Sequence, residues 1–377
     1  MNTQNPDLSQ ATNYHYGAFP PENLDLERLL EPLLDAGDAL ARYDQMLLGM
    51  KNSAVLLAPL SRQEAVVSSR IEGTITTLDE LLKAEADNEE DPEDGIPDVR
   101  SETLEVFLYQ RAMRQAEVAL QKGAPLSGHL LRQAHGTLLM FGRGQNKNPG
   151  EYKTEQNYLA ERRKSVVRFI PISPEQLTPA MDDLFGYIDG NLHVPLLATA
   201  IAHLEFEALH PFNDGNGRIG RMLITLMLWN KRVLSAPHFY ISAHLEDNRD
   251  EYIDRMRDVS GHGAWTEWCI FFMEALKAQA EENLRKTQEI QNLYEEMKTV
   301  LREITSSQWT VEILDFLFEN PVFRNNKFTN KGGIPKETAK RCSKELLEND
   351  VIRLVEPGSG RRAALYAFEP LLSLVRG

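Results

Sequence analysis

Apolar side chains recur every three or four residues over most of the chain, which is the spacing of amphipathic helices. The pattern runs from Leu24 to about Leu82 and resumes after an acidic stretch with Pro and Gly at 84–98. It then predicts helices over 99–121, 127–139, 175–190, 194–209, 217–231, 246–257 and 264–304. We therefore expect a mainly α fold.

Two segments depart from the helical pattern. Residues 1–20 are polar, with Pro and Gly near the end, and we interpret them as an extended arm. Residues 142–172 begin glycine-rich and polar and then alternate from Ser165 to Ile170, so they predict a short β-hairpin.

Composition narrows the class of protein. The chain has 377 residues, a net charge of −15 and two isolated cysteines. The negative charge disfavours non-specific nucleic-acid binding by the whole chain, and the two thiols form neither a disulfide framework nor a zinc motif. The N-terminus lacks a signal peptide pattern and no window is apolar enough to span a membrane. We expect a cytoplasmic protein without a membrane partner.

A glycine-rich turn separates two apolar helical segments at 210–221, where the chain reads HPFNDGNGRIGR. Pro211 cannot continue a helix undisturbed, so the chain must turn after His210. Gly215 and Gly217 leave backbone amides open to a ligand. The next helix starts near Gly217, and its unpaired N–H groups favour an anion.

The side chains of this turn match that anion site. Arg218 and Arg221 share one face of the first helical turn, where guanidinium groups suit phosphate oxygens. Asp214 offers a hard oxygen ligand for Mg²⁺, and His210 is suited to proton transfer near neutral pH. The alternative is an ordinary glycine-rich turn with solvated arginines, but the combination predicts a phosphate site.

The twelve residues resemble the signature of the Fic (filamentation induced by cAMP) family, HPFxDGNGRxGR, at every specified position. The preceding segment, His203–Leu209, is similar to the helix that leads into that motif. The resemblance implies that His210 accepts a proton from a Ser, Thr or Tyr hydroxyl, which attacks the α-phosphate of ATP.

The same resemblance implies roles for the rest of the motif. Asp214 would hold Mg²⁺, while Arg218 and Arg221 would hold the β- and γ-phosphates. The backbone amides of Gly215, Asn216 and Gly217, with the Asn216 side chain, would cradle the phosphates.

The segment from Ser68 to Gly73 resembles the inhibitory pattern S/T-xxx-E-G/N of the same family. This implies that Glu72 pairs with Arg221, takes the γ-phosphate position and misplaces the α-phosphate, with Ser68 one turn earlier on the same face. Read alone, the pattern also fits a helix C-terminus with a solvated glutamate and Gly73 as its stop.

Three further assignments follow from the resemblance. Tyr158–Pro171 is the candidate flap, a hairpin to which an extended target segment adds as a strand, unless it is an ordinary surface hairpin. Asn248 and Tyr252 are candidate adenine or ribose contacts, although their spacing also suits helix packing. Lys153 stands where the family commonly has Arg, and we assign it no role.

The C-terminal part, 307–377, carries eleven Lys or Arg against nine Asp or Glu, in contrast to the acidic remainder. Helices at Val311–Glu319 and Pro335–Glu348 precede strand-like runs at Val351–Val355 and Ala364–Phe368, which predicts a small winged helix. The residues that could face DNA are Lys336, Lys340, Arg341 and Lys344 on the second helix, with Arg361 and Arg362 on the wing. Docking of a protein or a dimer is the alternative.

We therefore divide the chain into 1–97, an N-terminal helical region with the inhibitory helix; 98–285, a Fic-type helical core; 286–306, a helical connector; and 307–377, the winged helix. The resemblance implies a protein adenylyltransferase that uses Mg-ATP and is inhibited by Glu72. The alternatives are an ATP-sensing transcription regulator, and transfer or removal of another phosphate-linked group. Self-modification, a homodimer and DNA binding through 307–377 stay open.

Overall fold

The computed structural model describes residues 8–88, 99–160, 166–330, 334–360 and 362–376. The fold is mainly helical, as the apolar spacing predicts, with six short strands in these residues. The helices are α1 (Leu26–Gly49), α2 (Ser53–Ile71), α3 (Leu78–Asn88), α4 (Ser101–Gln121), α5 (Gly128–Leu138), α6 (Pro174–Asp189), α7 (Pro195–Leu209), α8 (Asn216–Asn230), α9 (Ser242–Asp247), α10 (Arg249–His262), α11 (Trp265–Thr305), α12 (Thr310–Glu319), α13 (Asn325–Thr329), α14 (Lys336–Glu348) and α15 (Glu369–Val375). The strands are β1 (Thr12–Asn13), β2 (Leu159–Ala160), β3 (Val167–Ile170), β4 (Val322–Arg324), β5 (Arg353–Glu356) and β6 (Leu365–Ala367).

Helices α7 and α8 form the centre of the core. All of α7 except Pro195 and Glu207 is buried, and α8 is buried from Asn216 to Leu228. A helix that is apolar on every side must be surrounded by others, and α1, α4, α5, α6, α10 and α11 pack around this pair. The turn at 210–215 therefore joins the two most buried helices of the molecule.

Local capping signals in the sequence are confirmed. The Thr77 hydroxyl accepts from the Glu80 N–H at 3.2 Å and the Glu80 carboxylate accepts from the Thr77 N–H at 2.9 Å, which opens α3. Gly73 follows α2 with φ of 88°, the left-handed conformation that ends helices. Helix α2 therefore ends where Glu72 leaves it.

A three-stranded sheet lies beside the core in the order β1-β3-β2. The expected hairpin is present as β2 and β3, which pair antiparallel, although residues 161–165 lie outside the described part. Strand β1 comes from the N-terminal arm and pairs parallel to β3. The arm is extended, as expected, but it is an integral part of the sheet.

Buried hydrogen bonds hold this arm against α7 and α10. The Tyr14 hydroxyl donates to Glu205 Oε1 at 2.6 Å, and His15 Nε2 lies 2.8 Å from Glu205 Oε2. His15 Nδ1 lies 2.8 Å from the hydroxyl of Ser260. Since a carboxylate can only accept, His15 donates from Nε2, and the flap sheet is anchored to the helix that carries His210.

The C-terminal unit combines helices α12 to α15 with a sheet in the order β4-β6-β5. The two expected helices and the hairpin β5–β6 are present, while β4, α13 and α15 are not foreseen in the sequence. Helix α11 crosses the expected 285/286 boundary without a break, and Ile290, Met297 and Leu301 are buried along it. The expected connector is thus part of a packed helix, and the division into four units stays a prediction.

Helix α3 carries a row of charges that faces the C-terminal unit. Asp79 pairs with Arg376 at 2.7 Å, and Lys83 pairs with Glu356. Asp87 accepts from Arg324 Nε at 2.8 Å and from Arg362 at 2.5 Å. The three residues of α3 are spaced four apart and therefore lie on one face of the helix. This face forms ion pairs with the C-terminal unit along the length of α3.

Four of the six basic residues expected to face DNA have carboxylate partners, and no ion pair is seen for Lys336 in the part of the chain that the structure describes. On α14, Lys340, Arg341 and Lys344 pair with Glu337, Glu345 and Glu348 of the same helix. Between β5 and β6, Arg362 pairs with Asp87, and Arg361 lies outside the described residues. The pairs on α14 lie at the surface, where ion pairs are weak and the side chains stay accessible.

Replacing Asp87 with Asn tests the contact between α3 and the C-terminal unit. Because Arg324 is 5% exposed, Asp87→Asn should cost about 1 kcal/mol and lower the midpoint of thermal unfolding. The matched control is Asp38→Asn, whose partner Arg42 is well exposed, and its cost should stay below about 0.5 kcal/mol. Equal midpoints for the two variants would contradict this contact.

Candidate functional site

His210 stands at the junction between α7 and the turn. It is the C-cap of α7 with φ of 46° and ψ of 61°, a left-handed conformation that is uncommon outside glycine. Its N–H donates to the carbonyl of Phe206 at 3.1 Å, and Pro211 then turns the chain away. The imidazole therefore lies at the C-terminal end of α7, where the chain leaves the helix.

The protonation of His210 suits a general base. Its Nδ1 lies 3.3 Å from the carbonyl oxygen of Glu207. Because a carbonyl only accepts, Nδ1 carries the proton and Nε2 keeps its lone pair. Burial, with a contribution from the Lys153 charge, lowers the pKa of His210 to about 4, so the imidazole is neutral at physiological pH.

The turn itself is closed by Asn216. Its Oδ1 accepts from the N–H of Phe212 and its Nδ2 donates to the carbonyl of Phe212, both at 2.8 Å. One bond is made at each end of the amide within the turn, and the contribution of this side chain to phosphate binding stays a prediction. Gly215, at φ of 77°, starts α8 without a side-chain cap, so backbone N–H groups remain available there.

A carboxylate from α2 lies at the start of α8. Glu72 Oε1 accepts from Arg221 Nη2 at 2.9 Å, and a Cβ placed on Gly217 would overlap that same oxygen. The carboxylate therefore lies at the helix N-terminus, next to a guanidinium and against a residue without a side chain. These are the features of an anion site, and an acidic side chain of the chain itself occupies it.

Arg221 is bound to α2 by three hydrogen bonds. Besides the bond to Glu72, Nε donates to the Ser68 hydroxyl at 2.9 Å and Nη2 to the Ser68 carbonyl at 2.7 Å. Arg221 is 2% exposed, so these partners compensate a buried charge. Ser68 therefore contacts Arg221, the residue that also binds Glu72.

Charge keeps Glu72 ionised in this position. Burial alone would raise its pKa, but the charge and hydrogen bond of Arg221, with further contributions from Arg218 and His210, lower the pKa below the ordinary value. The carboxylate of Glu72 keeps 34% of its side-chain surface exposed, so it lies at the edge of the site. The contact with Arg221 therefore persists throughout the neutral range.

Arg218 and Asp214 form the other side of the site. Arg218 is 1% exposed, and its Nη1 and Nη2 lie 3.4 Å from Glu105 Oε2 and Asp214 Oδ1. Its Nε has no hydrogen-bond partner among the described residues. The Arg218 guanidinium therefore keeps donor capacity for a ligand oxygen.

The residues around Asp214 fit Mg²⁺ bound together with a nucleotide. Asp214 Oδ1 accepts from the N–H of Gly215 at 2.6 Å, and the side chain is 37% exposed. Within the described ranges no group of three or more His, Cys, Asp or Glu side chains could form a metal cage. One carboxylate with phosphate oxygens and water is the set that Mg²⁺ commonly takes.

Sequence reasoning missed His135, which supports the turn from α5. The His135 ring stacks on Phe212 at 3.7 Å, and its Nδ1 accepts from the N–H of Gly150 at 2.9 Å. That bond fixes the tautomer, so Nε2 donates to the Asp214 carbonyl at 3.0 Å. Burial lowers the pKa of His135 to about 4, which keeps this arrangement at neutral pH.

Tyr252 is buried and Asn248 is partly exposed, and each has a partner within the fold. Tyr252 is 4% exposed and its hydroxyl lies 2.8 Å from His203 Nε2. The Asn248 amide donates to the His244 carbonyl at 2.9 Å, between α9 and α10. Both contacts fit the packing alternative, and a role in adenine or ribose binding stays a prediction for each.

A second carboxyl lies near Arg221. Burial is the largest cause that raises the pKa of Glu207, to about 8, and the Glu72 charge adds to it while Arg221 opposes it. Glu207 is therefore mostly protonated at neutral pH. It adds little negative charge to a site built for an anion.

Family models match the part of the chain that contains this site, in which His210 caps α7 and a glycine-rich turn leads into α8. The model of the Fic/DOC family matches residues 125–228, and that of the Fic/DOC family N-terminal region matches 30–117. The two matches together cover just over half of the chain. The chain belongs to the Fic/DOC family.

Two curated relatives carry the word adenylyltransferase in their names. The chain is 27% identical over 121 residues to protein adenylyltransferase fic-1 of Caenorhabditis elegans, which is 29% of this chain and 22% of that protein. It is 27% identical over 93 residues to a probable protein adenylyltransferase of Aquifex aeolicus, which is 24% of this chain and 27% of that protein. The matched segments thus span about a quarter of those relatives.

Solved structures support the fold over a longer stretch. A Fic family protein of Desulfovibrio desulfuricans G20 superposes with a TM-score of 0.58 at 20% identity, over 93% of this chain and 98% of that one. Residues 134–508 of Fic-1 from Caenorhabditis elegans superpose with a TM-score of 0.52 at 18% identity, over 70% and 73%. In the described part of the chain, no helix is both long and apolar enough to cross a bilayer.

His135→Phe tests the support of the turn. Phenylalanine keeps the ring against Phe212 but removes both hydrogen bonds, which should lower the free energy of unfolding by about 2 kcal/mol. Chemical denaturation measures this change. The exposed His129 on the same helix is the control, and His129→Phe should change stability by less than about 0.5 kcal/mol. A similar effect of both variants would contradict the proposed support.

Proposed function

We propose that this protein is an adenylyltransferase that transfers AMP from Mg-ATP to a protein hydroxyl and is inhibited by its own Glu72. The observation that carries the proposal is the anion site at the start of α8, close in sequence to a neutral histidine and occupied by an internal carboxylate. The names of the curated relatives support the same chemistry.

The reaction follows from the roles of the side chains. The oxygen of a Ser, Thr or Tyr hydroxyl forms a bond to the α-phosphorus while the bond from that phosphorus to the β-phosphate oxygen breaks. The hydroxyl proton passes to Nε2 of His210, and pyrophosphate leaves. Catalysis then consists of positioning and charge stabilisation, which phosphoryl-type transfer requires.

The remaining residues hold the nucleotide. Arg218 and Arg221 are the donors for the β- and γ-phosphates, and backbone N–H groups at Gly215 and Gly217 face the same oxygens. Asp214 would hold Mg²⁺, which neutralises phosphate charge when bound. Burial strengthens each of these interactions, because there is little water to screen them.

Inhibition by Glu72 is a competition for Arg221. While the carboxylate pairs with Arg221, a γ-phosphate meets a negative charge and lacks a principal cation. ATP would then bind with its α-phosphate displaced, and a displacement of about 1 Å costs on the order of 10²-fold in rate. The signal that moves α2 away would come from the target or from a partner.

The target segment would bind at the outer edge of β2. Strand β3 pairs with β1 on one side and β2 on the other, so it has no open edge. A target strand that adds at Leu159–Ala160 would be held by main-chain hydrogen bonds near His210. Specificity would then depend on the shape of the target more than on its side chains.

The transcription-regulator alternative is less well supported. Its DNA-binding surface depends on Lys and Arg of α14 and the wing, and three of the α14 residues and Arg362 pair with carboxylates. DNA phosphates would have to displace these carboxylates to pair with the cations. We propose instead that the C-terminal unit is a winged helix that docks on α3 and thereby supports α2.

Transfer of radioactive label from ATP marked at the α-phosphate tests the proposal. Glu72→Gly should raise incorporation on the order of 10²-fold, because Arg221 is released for the γ-phosphate. His210→Ala in that background should lower it by about 10²–10⁴-fold, because the base is lost. Arg70→Ala, on the exposed side of the same turn of α2, is the control and should leave incorporation unchanged.

ATP marked at the γ-phosphate distinguishes the type of transfer. AMP transfer predicts no label on protein from this substrate, whereas phosphate transfer predicts label. Absence of α-label in Glu72→Gly across a cell lysate, despite measurable ATP binding, would contradict the proposed activity.

A further inference from the structure

The segment Lys153–Asn157 lies between the flap and the turn that follows α7. The backbone carbonyls of four consecutive residues, 209–212, all accept hydrogen bonds from this segment. We infer that Lys153 and Asn157 position His210, and that they are a part of the catalytic apparatus which the motif does not contain. This inference refines the proposed function and rests on it.

Lys153 supplies two of the four bonds. Its Nζ donates to the Leu209 carbonyl at 3.0 Å, and its backbone N–H donates to the Pro211 carbonyl at 2.8 Å. The Leu209 carbonyl belongs to the last turn of α7, where carbonyls have no partner within the helix and a cation is favourable. Lys153 is 3% exposed, and burial lowers its pKa to about 7, so near neutral pH its Nζ acts there as a hydrogen-bond donor that is only partly charged.

Asn157 supplies the other two bonds. Its Nδ2 donates to the carbonyls of His210 and Phe212, each at 3.1 Å. Its Oδ1 accepts from Lys153 Nζ at 2.8 Å, which fixes which end of the amide faces the turn. The two side chains thus form one connected unit that binds both sides of the His210–Pro211 bond.

The backbone of His210 needs such support. A residue with a side chain at φ of 46° carries a conformational cost of roughly 1–3 kcal/mol, and it persists where surrounding bonds hold it. Pro211 has no N–H with which to stabilise the turn from within. The bonds to the carbonyls from Lys153 and Asn157 therefore add to the contact of Nδ1 with the Glu207 carbonyl in holding the direction of the imidazole.

The same segment continues into the flap. Asn157 lies two residues before β2, and Gln156 Nε2 donates to the Pro171 carbonyl at 3.0 Å, just after β3. The five residues 153–157 thus connect two parts of the site. One is the strand edge to which a target segment would add, and the other is His210, which takes the proton of the target hydroxyl. Because reactivity depends on sub-ångström geometry, this short connection fixes the hydroxyl relative to Nε2.

Kinetics in the Glu72→Gly background test the inference. Asn157→Asp keeps the size and the bond from Lys153 but loses both donors, and it should lower kcat by at least about tenfold with KM for ATP changed less than about threefold. Lys153→Met should lower kcat in the same way. Lys153→Arg should retain most of kcat, because arginine keeps an N–H donor at this position. The control is Lys231→Met, whose Nζ donates to the Gly190 carbonyl at another helix end, and it should leave both constants unchanged.

A second readout does not depend on turnover. The imidazole signals of His210, assigned in NMR spectra with His210→Ala, should shift in Asn157→Asp and in Lys153→Met but not in Lys231→Met. If the Glu72→Gly parent shows no transfer at all, the proposed function fails, and these signals alone decide the inference. Unchanged His210 signals, or an unchanged kcat in both variants, would overturn it.

Discussion

The pairing of Glu72 with Arg221 is the interaction on which the rest of the structure depends. Arg221 is a fully buried cation at a helix N-terminus, a position that disfavours positive charge, and it is stable only with an anion beside it. In this structure that anion is the Glu72 carboxylate at the end of α2. We propose that in the active arrangement it is a phosphate, so one site requires an anion at all times and the two ligands exclude each other.

Much of the fold outside the motif serves to hold α2 against α8. The helix packs on α4, α9 and α12, and its neighbour α3 is held to the C-terminal unit by the charges of Asp79, Lys83 and Asp87. A change in the C-terminal unit can therefore reach Glu72 through packed helices. The N-terminal arm acts on the opposite side, where Tyr14 and His15 join the flap sheet to Glu205 on α7.

Local signals made the helices, the capping box at Thr77 and the turn after His210 predictable from the sequence, because spacing and capping act within a few residues. The pairing of Thr12 with Phe169 was not, since nothing in a polar arm specifies a distant partner. The same holds for Lys153 and His135, whose bonds go to carbonyls far along the chain. The two bonds by which the Asn216 amide closes the turn were not foreseen in the sequence either.

The affinity of ATP relative to ADP is the most direct test of the competition at Arg221. Isothermal titration of wild type and Glu72→Gly with each nucleotide, in the presence of Mg²⁺, separates the γ-phosphate from the rest of the ligand. We predict that Glu72→Gly raises the affinity for ATP by about tenfold or more and changes the affinity for ADP by less than about twofold, because only the γ-phosphate meets the carboxylate. Equal changes for both nucleotides, or none for ATP, would contradict the claim that Glu72 and the γ-phosphate share one site.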